Sequence, residues 1–105
     1  MRYAKRTDAN HAAIRDALRA AGYKVADLSA CGGGIPDAIV AMPMPGWMQS
    51  IPAFLEFKDG EKVKSAQKLT KAQTVWREYA DGVTYTVNSV QSALDALALH
   101  RSRHG

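Results

Sequence analysis

The chain has 105 residues, 47% hydrophobic and 23% charged, which predicts one globular domain spanning 1–105 and excludes both a second core and a disordered chain. A single cysteine, Cys31, excludes an internal disulfide and a zinc site of several thiolates, and no apolar run reaches the roughly 18 residues of a membrane span. Fourteen Lys and Arg against ten Asp and Glu give a formal +4. That charge is clustered: Lys58, Lys62, Lys64, Lys68 and Lys71 lie close together, Arg2, Lys5 and Arg6 make a basic tail over about 1–7, and His100, Arg101, Arg103 and His104 make another over 100–105. Clustered basic residues suit a polyanion such as nucleic acid. No apolar segment follows the basic N-terminal residues, so the expected setting is cytoplasmic and reducing.

A first helix is predicted over 8–21, with Asp8 as N-cap, Gly22 as terminator and Ile14, Ala17, Leu18 and Ala21 on one stripe. Asn10 stands at the start of that stripe and His11 at its edge. Residues 23–29 alternate as an edge strand. After Gly32-Gly33-Gly34, the apolar segment 36–42 reads as a central strand, and 53–58 as a third. Their short connections predict an antiparallel meander. Thr70 caps a second helix in which Ala72, Val75, Trp76 and Tyr79 keep the spacing of a buried face. Residues 83–87 form a fourth strand, parallel to the third because a helix crosses between them. Ser89 caps a last helix with Val90, Ala93, Leu94 and Leu97 inward. The order is αβββαβα, in two or three layers around a mixed four-stranded sheet. Trp47 and Met48 lie in the proline-rich loop 43–52 and suit a partner surface.

Asp37 stands near the start of the second strand. Glu56 and Lys58, nineteen and more residues on, stand near the end of the third. Alternation along a strand projects Glu56 and Lys58 from one face. If the two strands pair as an antiparallel hairpin, Asp37 approaches Glu56. Two close carboxylates repel unless a cation neutralises them, and oxygen-rich sites suit Mg²⁺ or Mn²⁺. A lysine beside them can orient a water against a polarised phosphodiester. Gln73, three residues after Thr70, fits both a capping box and a site role. Cys31 has no base near it in sequence, and the glycine run lacks the lysine and hydroxyl residue of a nucleotide-binding loop.

Gly34-Ile35-Pro36-Asp37 followed by Leu55-Glu56-Phe57-Lys58 resembles the PD-(D/E)xK nuclease signature. Arg6-Thr7-Asp8-Ala9-Asn10 at the first helix, the glycine approach to Pro36-Asp37, and Leu69-Thr70-Lys71-Ala72-Gln73-Thr74-Val75-Trp76 resemble its VRR-NUC branch, in the small stand-alone, virus-type members. The resemblance runs from about residue 6 to residue 98. It implies a restriction-endonuclease-like αβββαβ core with a C-terminal helix, and a metal-dependent DNA endonuclease. A structure-specific or Holliday-junction-resolving homodimer in a bacterial or virus-infected cell is the narrower implication. Asp37, Glu56 and the Phe57 carbonyl would hold the metal, Lys58 would position the water and Gln73 would contact the scissile phosphate. The first-helix site residue, often Glu in that superfamily, falls on Asn10, with His11 and Asp8 as alternatives. Lys62, Lys64, Lys68 and Lys71 would contact DNA phosphates. The rival reading is a catalytically inactive DNA-binding module of the same fold.

Overall fold

The computed structural model describes residues 9–42, 51–58 and 69–104. Helix α1 (Ala9–Ala20) ends on a glycine-based cap: the Gly22 N–H donates to the Arg19 carbonyl and the Tyr23 N–H to the Leu18 carbonyl, both at 3.0 Å. That geometry requires the positive φ of 99° that Gly22 adopts without strain. Strands β1 (Lys24–Asp27), β2 (Ala38–Ala41) and β3 (Ala53–Phe57) form the antiparallel meander. Helix α2 (Lys71–Tyr79) crosses back, and β4 (Thr84–Val87) joins β3 in parallel. Helix α3 (Val90–His104) closes the fold. The sheet order is β1-β2-β3-β4.

The layers number three. On one face, Ile14 and Leu18 of α1 and Ala93 and Leu97 of α3 pack against Val40, Ala53, Leu55, Phe57, Tyr85 and Val87. All of these are buried, which supplies the main hydrophobic stabilisation. His100 is buried with them: its Nε2 donates to the Ile51 carbonyl at 2.6 Å, and its Nδ1 is 2.8 Å from the Tyr85 hydroxyl. The segment read as a basic tail from residue 100 is therefore the last turn of α3, because His100 finds buried partners for both ring nitrogens.

On the other face α2 covers β3 and β4 through Trp76. Its ring meets Phe54 edge-on at 5.4 Å, and its Nε1 donates to the Thr84 hydroxyl at 3.1 Å. The expected inward stripe of α2 is corrected by one residue. Val75 is 44% and Tyr79 86% exposed, while Gln73, Trp76, Arg77 and Ala80 face the sheet. The face they meet carries the hydroxyls of Thr84 and Thr86, the latter bonded by Arg77, so it selects the polar stripe over the apolar one. In α1 the buried stripe includes His11 and leaves Ala21 exposed. Asp8 and the loop 43–50 with Trp47 and Met48 lie outside the described residues.

Candidate active site at the C-terminal edge of β3

One edge of the sheet gathers the start of β2 and the ends of β1, β3 and β4. Pro36, fully buried, leads into Asp37, whose carbonyl accepts the Leu28 N–H at 2.6 Å and extends the β1–β2 ladder by one step. Ala38 pairs with Leu55, so the next step of the same register sets Asp37 opposite Glu56. Both are buried, at 7% and 5% exposure. Carboxylates directly opposite on one sheet face repel. Asp37 Oδ2 accepts the Phe57 N–H at 2.8 Å. Within a strand the N–H and C=O of a residue point to the same side, so the Phe57 carbonyl points toward Asp37 as well.

Lys58 follows on the Glu56 face. Its ammonium donates to Gln73 Oε1 at 3.1 Å. Gln73 is held in turn by a capping box: Oε1 also accepts the Thr70 N–H at 2.9 Å, and the Gln73 N–H donates to the Thr70 hydroxyl at 3.1 Å. The cap thus also holds the Gln73 amide against the Lys58 ammonium. Gln73 Nε2 has no hydrogen-bond partner among the described residues. The first turn of α2 is further keyed to the glycine run. A Cβ on Gly34 would lie 2.5 Å from the Ala72 carbonyl carbon and oxygen, and Gly34 has φ +84°. Only glycine allows both the close approach and the turn.

Asn10 comes from the opposite layer. Its Nδ2 donates to the Lys58 carbonyl at 2.9 Å and to the Asn88 carbonyl at 3.3 Å, tying together the ends of β3 and β4. Its Oδ1 is buried without a hydrogen-bond partner among the described residues. His11 lies under Phe57, ring centroids 4.3 Å apart, with Nε2 3.7 Å from Asp27 Oδ2. That places His11 on the α1 face of the sheet, away from the Asp37–Glu56 face. The Ser29 hydroxyl and N–H, bonded to Asp27 Oδ1, hold the Asp27 carboxyl below the usual carboxylate range. The charge on Asp27 therefore stabilises the fold at neutral pH, and this contribution fades only as pH falls through that lowered value.

The N-termini of the three helices among the described residues meet at this edge: α1 at Asn10, α2 at Gln73, and α3 directly after Asn88. Helix N-termini carry positive partial charge and favour anions. This convergence and the Gly34–Ala72 key were not predicted from the sequence, although Ser89 and Thr70 as caps beside strand ends already marked two of the three N-termini. Lys71 is exposed at the start of α2, two residues before Gln73; Lys62, Lys64 and Lys68 lie outside the described residues. Two carboxylates and a backbone carbonyl are hard oxygen donors of the kind that Mg²⁺ or Mn²⁺ accepts alongside water. The donor set fits such an ion, although no group of three or more His, Cys, Asp and Glu side chains suited to a metal occurs among the described residues. No family model, curated protein or solved structure matches the chain.

Proposed function

We propose that the protein is a divalent-metal-dependent endonuclease that hydrolyses DNA phosphodiester bonds, a small relative of the VRR-NUC branch of PD-(D/E)xK nucleases. The observation that carries this reading is the buried Asp37–Glu56 pair with Lys58 on the same face and its ammonium on Gln73. The mixed sheet in αβββαβα order agrees with it at the level of architecture.

Asp37, Glu56 and the Phe57 carbonyl would hold Mg²⁺ or Mn²⁺. When bound, the ion offsets the carboxylate repulsion and polarises the phosphodiester. Lys58 Nζ, held by Gln73 Oε1, orients the attacking water and offsets the charge that develops on the phosphate oxygens. Gln73 Nε2 donates to a phosphate oxygen. The three helix N-termini favour the same anion. Lys71, with Lys62, Lys64 and Lys68, contacts phosphates along the strand. A branched DNA substrate, a homodimer and a cytoplasmic setting in a bacterial or infected cell belong to the same reading.

One observation favours a second reading, a DNA-binding module without catalysis. The first-helix residue is an amide rather than a carboxylate, and its Nδ2 is committed to two backbone carbonyls. One experiment separates them: incubation with plasmid and with a synthetic four-way junction, in Mg²⁺, Mn²⁺ or EDTA. Metal-dependent cleavage abolished by EDTA supports the nuclease. Salt-sensitive retardation with no cleavage in any metal selects the binding module.

A further inference from the structure

Helix α2 covers β3 and β4 through Trp76 and leaves the β1–β2 half of the same sheet face open. The β1–β2 register sets Lys24 opposite Ala41 and Ala26 opposite Ile39. By alternation along β2 all four lie on the face that carries Asp37. Lys24 and Ala26 are exposed, Ile39 and Ala41 half-buried. With Pro52 they line a groove of about 460 Å³ whose floor is apolar. Arg19 reaches the same groove, and no acidic residue is found in its lining among the described residues. The Arg19 Nη2 donates to the Val25 carbonyl at 2.9 Å, and its other two nitrogens have no partner among the described residues.

The groove begins beside the candidate site. Ile39 and Ala41 follow Asp37 at alternate positions, so the floor runs from Asp37 along β2 for about 13 Å. It is two strands wide, about 10 Å between α2 and the β1 edge. We infer, building on the nuclease reading of Asp37 and Glu56, that this groove takes an unpaired strand of the DNA substrate next to the scissile phosphate. The lining selects that occupant by charge and by polarity. A duplex turns phosphates and base edges outward and keeps its base faces stacked inside, so an apolar floor offers it nothing. An unpaired strand exposes its base faces. The Ala26, Ile39 and Ala41 floor covers them while Lys24 and Arg19 meet the phosphates. The preferred substrate is then one with unpaired nucleotides adjoining the cleaved bond, rather than continuous duplex.

Fluorescence anisotropy in EDTA tests this with a short oligothymidylate and a blunt duplex of the same length. Nothing is cleaved there, so the outcome is independent of catalysis. The wild type is expected to bind the single strand about tenfold or more tightly than the duplex. Ala26→Asp places a carboxylate on the floor. It is expected to weaken single-strand binding by about tenfold and to leave duplex binding within about twofold, with circular dichroism reporting an intact fold. Lys24→Gln is expected to lower the log–log salt slope for the single strand by about 0.7, the loss of one phosphate contact. Selective single-strand binding with no cleavage in any metal would contradict the nuclease reading and still support the groove. Duplex bound as tightly as the single strand, or a folded Ala26→Asp of undiminished single-strand affinity, overturns the inference even where metal-dependent cleavage is observed.

Discussion

Lys58 is held at three points. Its N–H donates to Val87 at 2.8 Å, its carbonyl accepts from Asn10, and its ammonium rests on Gln73. Immobilising a long flexible side chain costs about 1.5–2 kcal/mol of rotamer freedom, and the same restraint suits a group whose task is orientation. Lys58→Met is therefore expected to lower turnover by about a hundredfold or more while leaving DNA affinity within about twofold. Single-turnover cleavage beside equilibrium binding checks this; a parallel fall of both would make Lys58 only a phosphate contact. The Glu56–Lys58 placement is legible in the sequence because alternation along a strand needs no tertiary information. The role of Asn10 is not, because its two partners lie 48 and 78 residues away along the chain.

Helix α2 shows how an element can be read correctly and oriented wrongly. Its cap, its start and its Gln73 follow from local spacing. Its rotation does not, because Trp76 belongs to both candidate stripes, and hydrophobicity alone favours the one with Val75 and Tyr79. Hydroxyls on the facing strand decide for the other. The second anchor of α2 is Gly34, and it yields a controlled prediction. Gly33→Ala incurs only the positive-φ penalty, on the order of 1–2 kcal/mol, since nothing lies within 4 Å of its added Cβ. Gly34→Ala incurs that penalty and also drives a methyl group to 2.5 Å from the Ala72 backbone. It is expected to cost clearly more in chemical denaturation and to shift α2, separating Gln73 from Lys58. Equal losses in the two variants would show that the loop and α2 are not keyed together.

At the scale of the molecule, the strand order and the single parallel pair follow from connection lengths: short turns give antiparallel neighbours, and a crossing helix gives a parallel one. The same topology brings the start of β2 and the end of β3 to one edge, which is why two motifs nineteen residues apart form one site. What the sequence does not display is the burial of His100, which takes the expected tail into the core, and the meeting of three helix N-termini beside the carboxylates. The architecture and these electrostatics converge on one claim, that Asp37 and Glu56 together hold a divalent ion. Titration calorimetry with Mn²⁺ tests it most directly, on the wild type and on Asp37→Asn and Glu56→Gln. The asparagine retains an acceptor for the Phe57 N–H, whereas Asp37→Ala would leave that donor unsatisfied at a cost of about 1–3 kcal/mol. The account predicts a saturable binding heat in the wild type that disappears in both variants while their circular dichroism is unchanged. Undiminished Mn²⁺ binding in either folded variant, or no binding by the wild type, would contradict it.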